Sequence, residues 1–156
     1  MNIWKKIAVP MVATFEGCAI RYRGLVYPYL DKLAKPPIWT RGYGRTYGIT
    51  GESEPVTAAE AAAELAHGLE KYAFACIKLA PPLAYKPECL AAVASWSWNC
   101  GIGAFKVSRL RRAINEGRWD DAAKHMLTPK TAGGVVVNGL AKRRIIESKL
   151  FASGIR

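Results

Sequence analysis

At 156 residues, 51% of them hydrophobic, the chain is long enough to bury a core of its own without disulfides or metal, and too apolar for wholesale disorder. Its formal charge of +11 calls for an anionic partner, which nucleic acid, a membrane surface or an anionic cell-wall polymer would each satisfy. Two histidines, His67 and His125, leave little room for a His-rich metal site or a His-based catalytic triad.

In chain order, residues 1–9 read as a frayed helical lead-in. Pro10 suits the first turn of a helix that carries Met11, Val12 and Phe15 to Glu16 and stops at Gly17. The apolar run from Ile7 to Phe15 is too short to span a bilayer. From Cys18 to Thr50, aromatics such as Tyr22, Tyr29, Trp39, Tyr43 and Tyr47 stand among glycines and the Pro36-Pro37 pair. That pattern predicts short strands and turns, a small β-lobe that must lean on something helical. The segment GESEP reads as a linker.

Thr57 with Glu60 forms a capping box, and Leu65, Leu69, Tyr72, Cys76 and Leu79 recur at steps of three and four. Together they predict a helix of about twenty residues ended by Pro81-Pro82. The run from Pro87 to Cys100 is apolar nearly all round, as in a buried central helix, with Trp96 in the core. Ser108 caps a helix ending near Gly117, and Trp119–Leu127 gives another before Pro129. Asn138 caps the last, with Lys142, Arg143, Arg144 and Glu147 on its polar side. Cys76, Cys89 and Cys100 fall in apolar helical patterns, where a reduced thiol behaves as a small hydrophobe. Cys18, two residues after Glu16, is placed to act as a redox or bonding switch.

Glu16, at a helix end, and Asp31, in a turn-rich segment, are the candidate chemistry. Glycosidic hydrolysis needs two carboxyls in different settings, one neutral to protonate the leaving oxygen and one ionised to assist water or stabilise positive charge. The plain alternative is a surface glutamate and an ordinary turn aspartate. Scarcity favours the chemical reading, because Asp31 is the sole aspartate before Asp120 and Asp121.

Several segments together resemble the phage-type lysozymes of glycoside hydrolase family 24. They are Glu16-Gly17, Tyr29-Leu30-Asp31, Thr40 ahead of Gly42-Tyr43-Gly44-Arg45-Thr46, SWSWNCGIGAF from Ser95, RLRRAINEGRWDDAA from Arg109, and GLAKRRIIE from Gly139. The resemblance implies an α+β, mainly α, lysozyme-like fold treated as one domain over 1–156. Its parts would be a β-containing lobe at about 18–55, a connecting helix at 57–79, and a helical lobe at 80–156 on which the first helix, 1–17, packs. An active-site cleft would lie between the lobes.

It also implies an endolysin or muramidase that hydrolyses, with inversion and without cofactor or metal, the β-1,4 bond between N-acetylmuramic acid and N-acetylglucosamine. Glu16 would be the general acid, partly buried against Phe15 or the Trp96/Trp98 helix. Asp31 would be the base or water holder, and Thr40 would orient the water. Tyr43, Trp98, Asn99 and Arg143 would bind substrate, with Arg143 or Arg144 ion-pairing with Glu16. Asn99 would otherwise bond the backbone of the Gly101 turn.

The partners implied are peptidoglycan glycan strands and an anionic envelope surface, with no nucleic acid and a monomeric state. Synthesis would be in the host cytoplasm, and action would follow export or holin-mediated release to the periplasm. Both Glu16–Asp31 and Asp31–Thr40 gaps exceed the family's usual spacing, through an insertion at Arg21–Val26 and the Lys35-Pro36-Pro37 bulge. A lytic transglycosylase would need the acid but not Asp31 and Thr40. A basic nucleic-acid module built on RLRRAINEGR would leave Glu16–Thr46 unexplained.

Overall fold

A computed structural model describes residues 2–18, 21–129, 131–132 and 135–156. They form two compact units, one of Val9–Gly68 and one of Leu69–Arg156 together with the first eight residues. Among the described residues no helix is long and apolar enough to cross a membrane.

Helix α1 runs from Ile3 to Glu16, so the lead-in is helical and Pro10 lies inside the helix rather than at its start. The reason is an apolar stripe: Trp4, Ala8 and Val12, four residues apart, are all buried and demand one continuous helix, which outweighs the donor that Pro10 lacks. Thr14 Oγ1 donates to the Pro10 carbonyl at 3.0 Å. The helix ends at Gly17, whose φ of +63° suits glycine and whose amide donates to Ala13 O at 3.1 Å.

In the Val9–Gly68 unit the strands are short. β1 (Arg21–Tyr22), β2 (Leu25–Val26) and β5 (Val56–Thr57) make one antiparallel sheet in the order β1-β2-β5. β3 (Tyr29–Asp31) and β4 (Ile38–Thr40) form a separate hairpin. β5 was invisible in the sequence because two residues beside a Pro/Glu segment carry no periodicity of their own. Pairing with β2 at Leu25↔Thr57 and Val26↔Val56 creates it.

The capping box forms as expected, with Glu60 Oε2 accepting from Thr57 N at 2.7 Å and Thr57 Oγ1 accepting from Glu60 N at 3.2 Å. It opens α2 (Ala58–Leu79), on which Leu65, Leu69, Ala73 and Cys76 are buried. Glu60 titrates below its ordinary range, held ionised chiefly by the Thr57 backbone and side-chain bonds.

In the larger unit a 3-10 turn at Pro81–Tyr85 follows α2, and then α3 (Pro87–Cys100) is buried from Cys89 to Ser97. Trp96 is a core residue, edge-on to Phe105, with its indole N–H donating to Thr128 O at 2.8 Å. A short helix α4 (Ile102–Val107) precedes α5 (Arg109–Asn115), which Ser108 caps by accepting from Arg111 N at 3.0 Å. α6 (Trp119–His125), strands β6 (Thr131–Ala132) and β7 (Val135–Val136), and α7 (Asn138–Ser153) complete the chain.

Asn138 lies inside α7 and makes no side-chain cap; Val137 takes the cap position in extended conformation. α7 packs along α3 and its end comes very close, since a Cβ on Gly154 would lie 2.8 Å from Glu88 Cβ. Cys76 and Cys89 are buried and unpaired with other cysteines. Burial pushes both thiols up to about 11.

Candidate active site

Glu16, Asp31, Thr40 and Tyr43 all belong to the Val9–Gly68 unit. Glu16 is the last residue of α1. It is exposed, so the partial burial expected for an acid is not found; the left-handed Gly17 turns the chain away directly after it.

Asp31 and Thr40 are brought together by register. β3 and β4 pair as Tyr29↔Thr40, Leu30↔Trp39 and Asp31↔Ile38. Directly opposed residues in an antiparallel pair share a face, and so do alternate residues along a strand. Asp31, Tyr29, Thr40 and Ile38 therefore line one face, and Leu30 and Trp39 line the other. Such diagonal neighbours stand about 7–8 Å apart.

Asp31 Oδ1 accepts from Leu33 N at 2.9 Å and from Ala34 N at 3.4 Å, so its side chain also opens the turn between the strands. Thr40 is buried, and its hydroxyl donates to Ile38 O at 3.3 Å, leaving oxygen lone pairs to accept. Tyr29, on the same face, has its phenol raised above the ordinary value by burial, then by the Asp31 carboxylate, then by Cys18. The Tyr43 hydroxyl accepts from Arg21 Nη2 at 3.3 Å and is half-buried.

Trp98, Asn99 and Arg143 lie in the larger unit. Trp98 is half-buried against Tyr72, ring centroids 5.4 Å apart. Asn99 is exposed, and its Oδ1 accepts from Arg144 Nη2.

The expected polar side of α7 is wrong for three of its four residues. Lys142 is exposed, but Arg143, Arg144 and Glu147 are buried at 5%, 1% and 0%. Glu147 Oε1 accepts from Ser95 Oγ at 2.6 Å and from Arg143 Nε at 3.0 Å, while Arg144 Nη1 donates to Oε2. Arg143 Nη2 also donates to Ser95 O at 3.0 Å, and Arg144 Nε to Pro129 O at 3.1 Å. These partners remove the arginines from solvent without leaving them unpaired. Burial raises the Glu147 pKa above the ordinary carboxylate value; Arg144, Ser95 and Arg143 oppose that rise.

Glu147 was not among the expected site residues. Its signal was the spacing to Arg143 and Arg144, four and three residues back on one helix, which sets all three on one side.

Among the described residues no group of three or more His, Cys, Asp or Glu could hold a metal. A cavity of about 320 Å³ lined by Trp96, Ser108, Arg109, Leu110, His125, Thr128 and Pro129 contains none of the seven candidate residues.

Mainly helical, with small antiparallel sheets, the fold is lysozyme-like. Among solved structures, P22 lysozyme in a variant form is 26% identical, with a TM-score of 0.76 over 94% of this chain and 95% of that one. The muramidase domain of SpmX from Asticaccaulis excentricus is 30% identical, with a TM-score of 0.75 over 94% and 95%. The endolysin of Bacillus phage PZA is 32% identical over 116 residues, 74% of this chain and 45% of its own length, so this chain matches less than half of that relative. The phage lysozyme family model matches residues 14–147, and the chain belongs to that family.

Proposed function

We propose that the protein is an endolysin-type muramidase that hydrolyses the β-1,4 bond between N-acetylmuramic acid and N-acetylglucosamine in peptidoglycan. The observation that carries this reading is the register of β3 and β4, which sets an acid, Asp31, and a hydroxyl, Thr40, on one face in a member of the phage lysozyme family.

Glu16 serves as general acid and protonates the leaving oxygen. It is exposed in the free protein, and sugar rings bound over it would exclude water from the proton transfer. Asp31 draws a proton from the attacking water, and the Thr40 oxygen orients that water. Attack from the far face inverts the anomeric centre, which calls for carboxyls about 6.5–9.5 Å apart. Tyr43, half-buried in the same unit as these three residues, contacts the glycan in the same reading. The enzyme acts as a monomer without cofactor and without nucleic acid as partner. It is made in the host cytoplasm and reaches the wall after export or holin-mediated release.

The test is turbidity loss of outer-membrane-stripped cells, with the released sugars identified by mass and by anomeric NMR. Glu16→Gln, Asp31→Asn and Thr40→Ala should each lower the rate by about 10²-fold or more. Products should carry reducing ends of inverted configuration. Anhydro sugars would instead establish a transglycosylase, and full activity in Glu16→Gln would end the reading.

A further inference from the structure

Directly after Thr40 the chain folds back on itself. Arg41 and Arg45 exchange both backbone hydrogen bonds, at 2.9 and 3.1 Å, around Gly42-Tyr43-Gly44. Gly42 and Gly44 sit at φ +63° and +95°, where L side chains are strained, and a Cβ on Gly42 would lie 3.3 Å from Ala61 Cβ. The turn therefore lies tight on α2.

One carboxylate oxygen fastens it there. Glu64 Oε1, on α2, accepts from Arg41 Nη2 at 2.6 Å and from Arg45 Nη1 at 2.6 Å, while Arg41 Nη1 donates to Glu54 O at 2.6 Å. Arg41 is 8% exposed, and two guanidiniums sharing one acceptor repel each other unless the anion stands between them.

We propose that Glu64 is a positioning residue for the reaction, acting through Thr40. This rests on the reading above, in which Thr40 orients the attacking water. Thr40 is held from two sides, by pairing with Tyr29 before it and by the Arg41–Glu64–Arg45 clamp after it. Loss of the anion lets the two arginines part and the turn rise from α2. The Thr40 backbone then shifts, and with it the hydroxyl that donates to Ile38 O. A misplacement on the order of 1 Å costs about 10²-fold in rate.

The experiment is a double-mutant cycle on purified peptidoglycan with wild type, Glu64→Gln, Thr40→Ala and the double variant. Glu64→Gln should lower kcat about 10- to 100-fold with KM within about twofold. In the Thr40→Ala background the same change should have almost no further effect. Glu64→Asp, which keeps the charge, should recover part of the loss. A merely structural Glu64 would give additive losses in the cycle, or loss confined to thermal stability, and either result overturns the proposal while leaving the hydrolase reading intact. A wild type that releases no sugars overturns both. Should Glu64→Gln fail to fold, Arg45→Gln supplies the cycle, since that side chain is 43% exposed. It should show a smaller kcat loss, silent in Thr40→Ala, and an additive loss there overturns the proposal too.

Discussion

Replacing Glu147 by Ala should be among the most destabilising single changes in this protein. The side chain is completely buried, and three donors lose their acceptor at once: Ser95 Oγ, Arg143 Nε and Arg144 Nη1. Arg143 keeps its bond to Ser95 O, and Arg144 keeps Pro129 O and Asn99, so both cations stay fixed in place with no countercharge from Glu147. Removing one partner of a buried ion pair costs about 3–5 kcal/mol. For a chain of this size that corresponds to a fall in Tm of roughly 6–20 °C.

Urea unfolding followed by tryptophan fluorescence should show the loss as a lower midpoint at unchanged slope. Glu147→Gln, which keeps the shape and one acceptor oxygen, should lose less. The half-exposed pair Lys5–Glu70, with side chains 21% and 31% exposed, gives the control: Glu70→Gln should cost under about 1 kcal/mol. Coupling is the sharper readout. Glu147→Leu combined with Arg144→Met should cost clearly less than the sum of the two single changes, because the second removes a cation that the first has stranded. A Glu147→Ala cost under about 1 kcal/mol, or simple additivity, would refute the account of this cluster.

Three further outcomes are expected. Cys76 and Cys89, whose thiols burial holds up to about 11, should react with a thiol reagent at pH 8 no faster than the protein unfolds. Because unfolded thiols ionise first, near the ordinary 9.0, stability should also fall as pH rises above about 9; rapid native labelling of either cysteine contradicts this. Glu60 is held below its ordinary 4.5, so its contribution is present above that pH and is lost as pH falls through the lower folded value. Glu60→Gln should therefore flatten the acid limb of stability against pH, and an unchanged limb counts against the capping box as its cause. Wall lysis should weaken as salt rises, given the charge of +11, while any cleavage of a neutral chitooligosaccharide should change little; equal salt sensitivity would detach the charge from adhesion to an anionic envelope.

The sequence by itself determined what is decided within a few turns of chain. The Thr57/Glu60 box, the buried face of α2, the apolar run of α3 and the Ser108 cap all depend on groups three or four residues apart, so spacing alone specifies them. Gly17 after Glu16 is legible for the same reason, since the left-handed residue that ends a helix is adjacent to it.

Tertiary structure alone decided the rest. Two-residue strands such as β5 exist only because a partner offers its ladder. Arg143, Arg144 and Glu147 look like a solvated face, and become interior only where Ser95, Pro129 and Asn99 from distant parts of the chain supply acceptors and a donor. Nothing in the spacing around Glu64 marks it out, and only the return of the chain at Arg41 and Arg45 gives one of its oxygens two cations to hold. A charged side chain's fate depends on which distant groups desolvate and pair it, and that information is absent from any local window of sequence.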